Sequence, residues 1–94
     1  MVLNDAPMRE DLLKRLRRIE GQLRGVQRMI EEGEPCHKVG GQMSAARKAL
    51  DSAYVRMTMC FAQQEMGQAL GPGEVQDRLV PILGELEQML LRRP

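Results

Sequence analysis

The sequence predicts an all-α protein with a three-helix protomer. Apolar residues recur at alternating steps of three and four residues over two long stretches, which is the spacing of a helical seam. Glycine and proline separate these stretches from each other and from a third one, and no segment alternates as a strand would. At 94 residues the chain is one domain, 1–94, and too short to bury a large core. We therefore expect it to oligomerise.

Helix 1 is predicted over about residues 7–33. Gly33 and Pro35 end it, because glycine favours the position after a helix and proline cannot continue one. Gly21 and Gly25 cost roughly 1 kcal/mol each inside a helix, and their spacing predicts close approach of another backbone on one side. The apolar seam of helix 1 consists of Leu12, Leu16, Ile19, Leu23, Val26 and Ile30.

Helix 2 is predicted over about residues 35–69, between Pro35 and the Gly71-Pro72-Gly73 break. Helix 1 alone cannot cover so long a seam. An antiparallel four-helix-bundle dimer would cover it, and helix 3 could then pair dimers into a dimer of dimers. The seam of helix 2 consists of Cys36, Val39, Met43, Ala46, Leu50, Ala53, Met57, Cys60 and Gln64.

Helix 3 is predicted over about residues 74–92. Pro81 lies inside its apolar pattern, so it either kinks this helix or marks its true start. The apolar face consists of Val75, Leu79, Ile82, Leu86, Met89 and Leu90.

The charge is small overall but unevenly distributed. The net charge is +1, yet residues 9–28 hold seven Arg or Lys against three acids. Such a face is often merely solvated; as a binding surface it would contact the phosphates of double-stranded DNA. Two aromatic residues are too few for a single-strand stacking platform, and no helix-turn-helix signature is present. The candidate DNA contacts are Lys14, Arg15, Arg17, Arg18, Arg47 and Lys48.

Other classes of protein are poorly supported by the sequence. We find no signal peptide and no apolar run long enough to span a membrane, so we expect a cytoplasmic protein without a membrane partner. No acid–base pair, activated nucleophile or phosphate-binding loop is visible, and we do not expect an enzyme.

The two cysteines are the candidate sensing residues. Cys36 lies at a helix start, where the helix dipole favours a thiolate, and His37 follows it. A solvated role is the alternative for His37, and a buried inert thiol is the alternative for Cys60. The cysteines lie about 36 Å apart along one continuous helix, so they could share a disulfide or a metal only across two antiparallel copies.

The run from Arg15 to Gly33, followed by Cys36 and by Gln42-Met43-Ser44-Ala45-Ala46-Arg47, strongly resembles the copper-sensing repressor (CsoR/RcnR) family. The resemblance covers about residues 9–66. It implies an all-helical dimer of dimers that represses transcription until an inducer binds. It also implies that Cys36 is the first sensing residue and that it faces the far end of helix 2 in the partner subunit.

The sequence departs from this family at the sensing site. Copper sensors of the family have His 25 residues after the cysteine and Cys 29 residues after it, and these positions are Phe61 and Glu65 here. Neither is a soft Cu(I) ligand. We therefore favour thiol modification of Cys36, by persulfide or oxidation, as the inducing event. The alternatives are a repressor that binds Cu(I) through Cys36 and Cys60 across the dimer, and a non-DNA-binding scaffold or metal/thiol buffer. No cofactor is assigned apart from this candidate Cu(I).

Overall fold

A computed structural model describes residues 2–71, 73 and 75–92. It contains three α-helices: α1, Ala6–Glu31; α2, Cys36–Leu70; and α3, Val80–Leu91, which follows a π-helical turn at Val75–Leu79. The described ranges contain no strand, so the all-α prediction is confirmed. Within these same ranges, no helix is long and apolar enough to cross a bilayer.

Local sequence signals determine where α1 begins and ends. The Asp5 side chain accepts a hydrogen bond from the Met8 backbone N–H at 3.1 Å and caps the helix, with Pro7 in the first turn. Gly33 adopts a φ of +73°, a left-handed conformation that glycine tolerates, and the chain turns there. The helix therefore ends at Glu31, two residues before the predicted boundary.

On each helix of the α1–α2 hairpin, one set of residues spaced seven apart is buried. The hairpin's buried side chains are mostly small on α2, which lets the two helices pack closely. We call this set the buried ladder; it comprises Leu12, Ile19 and Val26 on α1 and Ala46, Ala53 and Cys60 on α2.

Helix α3 packs against the second half of α2. Val55, Met59 and Leu83 form a buried cluster, with Met66 and Leu91 packed against it. Pro81 is the second residue of α3, a position where its missing N–H costs nothing. Helix 3 is thus divided into a π-helical turn and a helix, and Pro81 marks the start of the regular helix.

The other half of each predicted seam is uncovered. These side chains are between 38% and 60% exposed, although all are large and apolar. We call them the exposed ladder; it comprises Leu16, Leu23 and Ile30 on α1 and Met43, Leu50 and Met57 on α2. The elongated protomer, 54 × 27 × 18 Å, therefore presents an apolar face along its length.

The two glycines of α1 are not explained by the packing of one chain. A Cβ at Gly25 would meet no atom within 4 Å, and one at Gly21 would meet only the side chain of Arg24. The predicted close approach of another backbone is therefore wrong for the described residues of a single protomer.

Candidate thiol site and basic surface

Cys36 lies at the start of the longest helix. It is the first residue of α2, it is exposed, and Pro35 precedes it as the N-cap residue without a side-chain hydrogen bond to the helix. The first-turn N–H groups of a helix have no intrahelical partner, so their positive end lies next to this thiol. His37 is exposed beside it. The arrangement provides an accessible sulfur at the N-terminus of a long helix.

Cys60 is in the opposite situation. Only 2% of it is exposed. Burial raises the pKa of the Cys60 thiol above its ordinary value of 9.0; Arg56 opposes this shift, and Glu87 adds to it. The protonated, unreactive form is therefore favoured at neutral pH.

A single protomer does not bring the two thiols together. Helix α2 runs without interruption from Cys36 to Leu70, so the cysteines lie about 36 Å apart. Seven-residue steps connect Cys36 to Met43 and the exposed ladder, whereas Cys60 belongs to the buried ladder. The neighbouring methionines are divided in the same way, since Met57 is exposed and Met59 lies in the core cluster.

The far end of α2 carries an interaction that the sequence did not reveal. The Gln64 side chain accepts a hydrogen bond from the Asn4 N–H at 2.9 Å and donates one to the Val2 carbonyl at 2.8 Å. The sequence pattern places Gln64 only in the seam of helix 2, because no local pattern signals a contact with residues 60 positions away. We call residues 2–4 the N-terminal arm.

An open cavity of about 350 Å³ lies beside this contact. Amide side chains from the arm, from α2 and from the π-helical turn make up most of its wall. Its lining consists of Asn4, Asp5, Met8, Gln63, Gln64, Gly67, Gln68 and Gln76.

The described residues of one chain do not form a metal site. Among them, no three His, Cys, Asp or Glu side chains lie close enough together to hold a metal ion. Phe61 and Glu65, at the positions where the resemblance places soft ligands, are half-buried.

The six candidate DNA contacts are all exposed: Lys14, Arg15, Arg17 and Arg18 on α1, and Arg47 and Lys48 on α2. Among the described residues, Arg15 is the only one of the six that forms an ion pair, from its Nε to Asp11 Oδ2 at 2.9 Å. Asp11 also lies 3.9 Å from Arg56, which reaches Glu87 on α3. This link between three helices was not predicted, because its members are far apart in sequence.

The fold and the thiol pattern define a class: an all-helical hairpin protein with a thiol at the head of its long helix and a basic first helix. The chain belongs to the metal-sensitive transcriptional repressor family, whose sequence pattern matches residues 8–90.

Two curated relatives are named copper-sensing transcriptional repressors. The chain is 47% identical over 49 residues to RicR of Mycobacterium tuberculosis (strain ATCC 25618 / H37Rv), a match that covers 52% of this chain and 51% of RicR. It is 28% identical over 75 residues to CsoR of Bacillus subtilis (strain 168), covering 80% of this chain and 74% of CsoR. The chain thus spans about half the length of RicR in that match. No solved structure was found to match the chain significantly.

Proposed function

We propose that the protein is a DNA-binding transcriptional repressor that leaves its operator when an inducer acts at Cys36. The single observation that carries this proposal is the exposed thiol at the head of α2 in a chain of the repressor family. Family membership supports repression as the activity. The accessibility of Cys36, set against the burial of Cys60, supports Cys36 as the residue that the inducer reaches first.

The exposed ladder supports an antiparallel dimer as the working unit. On α2, seven-residue steps lead from Cys36 through Met43, Leu50 and Met57 to Gln64, so the pattern is symmetric about Leu50. Two such helices related by a twofold axis would place Leu50 against its own copy and bury both apolar faces in a four-helix bundle. Exposed Ile82, Leu86 and Met89 on α3 could then join two dimers into a tetramer.

In this dimer the sensing site spans two protomers. The twofold axis at Leu50 would place Cys36 of one copy opposite Gln64 of the other, near Phe61 and Glu65. Cys60 faces the interior of its own hairpin, so it would meet the second copy's Cys36 only if that hairpin opened. His37, exposed beside Cys36, would assist by hydrogen bonding or by charge.

Thiol modification of Cys36 is the inducer chemistry that we favour. A persulfide or an oxidant needs one accessible sulfur and no preformed set of ligands. Cys36 offers that sulfur, whereas Phe61 and Glu65 offer no soft ligand. The modified sulfur would then change the packing at the junction of the two protomers.

Cu(I) is the second candidate inducer, and the names of both relatives favour it. Cu(I) binds thiolate and thioether sulfur strongly. Cys36 would be the first ligand. Cys60, or a methionine of the exposed ladder such as Met57, would have to supply the second sulfur from the other copy.

The basic surface of α1 would bind the DNA backbone. Lys14, Arg17 and Arg18 are exposed and form no ion pair with another described residue, and Arg47 and Lys48 extend the charge onto α2. Phosphate contacts of this kind make affinity fall steeply with salt. A scaffold or a metal/thiol buffer of the same fold would show no such dependence, so measurements of DNA binding separate the two functions.

The test is operator binding by fluorescence anisotropy, using DNA from upstream of the chain's own gene, with and without inducer. Wild-type protein should bind, and either a persulfide donor or anaerobic Cu(I) should release it. Cys36→Ser should bind equally well and resist release by either inducer. Cys60→Ser is the matched control for the persulfide donor, and it should lose release by Cu(I) only if Cys60 supplies the second ligand. Release by the persulfide donor alone selects thiol modification, whereas release by Cu(I) alone selects metal sensing. Absence of specific DNA binding would overturn the proposal.

A further inference from the structure

Four charged side chains in series connect the basic surface of α1 to α3. Arg15 Nε lies 2.9 Å from Asp11 Oδ2, and Arg56 Nε lies 3.9 Å from that same oxygen. Arg56 Nη1 then donates a hydrogen bond to Glu87 Oε2 at 3.1 Å. The four residues therefore join all three helices in the order Arg15, Asp11, Arg56, Glu87.

We propose that these four charged side chains form a relay that controls how freely Arg15 can contact DNA. In the relay, Asp11 is a shared carboxylate for which Arg15 and Arg56 compete, and Glu87 determines the outcome by holding Arg56 away. The proposal rests on the proposed function in one respect, namely that Arg15 contacts DNA.

The geometry of Asp11 supports competition. Both guanidinium groups approach the same oxygen, Oδ2, and they carry like charges, so a closer Arg56 weakens the hold on Arg15. Arg56 Nε is a buried donor that has no hydrogen-bond partner among the described residues. A movement of about 1 Å toward Asp11 would give this donor a partner, since N–H···O bonds form near 2.9 Å.

Glu87 is the member that opposes this movement. Its side chain is 14% exposed, against 41% for Arg56 and 45% for Asp11, so its ion pair with Arg56 is the least screened by solvent. Glu87 lies on α3, whose core contacts are with Val55 and Met59 of α2. While α3 is packed against α2, Arg56 keeps its ion pair with Glu87, and Asp11 keeps its ion pair with Arg15. A shift of α3 would free Arg56 to take Asp11, and Arg15 would become available to a phosphate.

The relay lies close to the thiol of Cys60. Cys60 lies one helical turn after Arg56 on α2, and both Arg56 and Glu87 act on its ionisation. Any change that displaces α3 near this turn would therefore reach Arg15 through three side chains. This is a two-state element that both α3 and the DNA can bias, as coupling between distant sites requires.

The test compares Glu87→Gln with Glu85→Gln. Both variants remove one negative charge from α3, but Glu85 is exposed and lies outside the relay. Operator affinity should rise about threefold in Glu87→Gln, the scale of one surface ion pair, and should stay near wild type in Glu85→Gln. The slope of log affinity against log salt should steepen by about one in Glu87→Gln, as one more phosphate contact requires. Equal behaviour of the two variants would overturn the relay.

A second set of variants, made in Arg15→Gln protein, tests whether Glu87 acts through Arg15. In Arg15→Gln protein, the gain from Glu87→Gln should disappear, because the freed side chain is missing. A gain that persists in that background would show that Glu87 acts by another path.

A measurement without DNA separates failure of the relay from failure of the proposed function. Nitrogen-15 NMR of the arginine Nε–H groups should show faster solvent exchange at Arg15 in Glu87→Gln than in wild type or Glu85→Gln. Unchanged exchange at Arg15 would overturn the relay. Faster exchange in a protein that binds no operator would support the relay and overturn only the DNA-binding function.

Discussion

Cys36 and Cys60 lie on two different packing faces of one continuous helix. Cys36 lies seven residues before Met43, the first residue of the exposed ladder on α2, and Cys60 ends the buried ladder that packs against α1. The two thiols of the chain are therefore unequal in solvent access, although both occupy the same predicted seam.

The first prediction concerns their reactivity. Iodoacetamide at neutral pH should alkylate Cys36 at least about tenfold faster than Cys60, since Cys60 reacts only after local opening of the hairpin. Burial raises the pKa of Cys60 and lowers its thiolate fraction further. Peptide mass spectrometry over time measures both rates, and protein in denaturant, where both should react alike, is the control. Equal rates in the native protein would contradict the burial of Cys60.

The second prediction concerns stability at alkaline pH. Because the pKa of Cys60 is raised in the folded state, the unfolded chain loses this proton first as pH increases. The stability that Cys60 contributes is complete below its ordinary pKa of 9.0 and is lost as pH rises through its higher folded value.

Urea unfolding between about pH 8 and about pH 10 should therefore show a smaller decline in Cys60→Ala than in wild type. Cys36→Ala should decline as wild type does, because Cys36 is exposed. A decline in Cys60→Ala as steep as that of wild type would contradict the assignment.

The helices could be predicted from sequence because apolar periodicity and helix-breaking residues are local. The division of each seam into a buried and an exposed half was harder to predict, since the apolar residues of both halves recur at the same regular spacing of seven. A signal was present in residue size: the buried half of α2 has Ala46 and Ala53, whereas the exposed half has Met43 and Leu50. Small residues allow close packing within the hairpin, and large ones are left for another surface.

The contacts of Gln64 and Arg56 could not have been predicted in this way. Gln64 binds residues 60 and 62 positions away, and Arg56 reaches Glu87 across 31 positions. Polar side chains of this kind carry no periodic signal, because their partners are set by tertiary packing. The exposed thiol of Cys36 was therefore predictable, because a local helix start identifies it, whereas the contacts of Gln64 at the opposite end of α2 were not.

The third prediction separates the two ladders. Ile19→Ala should destabilise the protomer by about 2–5 kcal/mol, the cost of truncating a buried aliphatic side chain. Leu23→Ala, one turn away and 46% exposed, should cost far less in the isolated protomer and should weaken self-association instead. Urea unfolding at several protein concentrations measures both effects. Similar, concentration-independent losses in the two variants would show that the exposed ladder has no partner.

The fourth prediction tests the twofold axis proposed at Leu50. Leu50→Glu places two like charges together at the centre of the bundle, so it should convert the assembly to smaller species. Leu70→Glu, on a side chain of similar exposure beyond the ladder, is the matched control and should leave the assembly unchanged. Sedimentation velocity gives the mass of each variant. If Leu50→Glu sediments as wild type does, the dimer face lies elsewhere.

The fifth prediction concerns the N-terminal arm. Gln64→Ala removes the side-chain groups that hydrogen-bond to the Asn4 N–H and the Val2 carbonyl, so hydrogen exchange at the Asn4 amide should lose its protection. The loss of two hydrogen bonds should cost about 1–3 kcal/mol or less, since both are exposed. Gln63 lines the same cavity but forms no side-chain hydrogen bond with another described residue. Gln63→Ala should therefore preserve the protection of the Asn4 amide.

The same pair of variants tests the sensing site, because the proposed dimer places Gln64 opposite Cys36 of the second copy. Gln64→Ala should alter the inducer concentration needed for release from DNA while leaving operator affinity without inducer near that of wild type. Gln63→Ala should change neither quantity. An inducer response that is identical in all three proteins would place the arm outside the sensing site, even where hydrogen exchange confirms that Gln64 holds it.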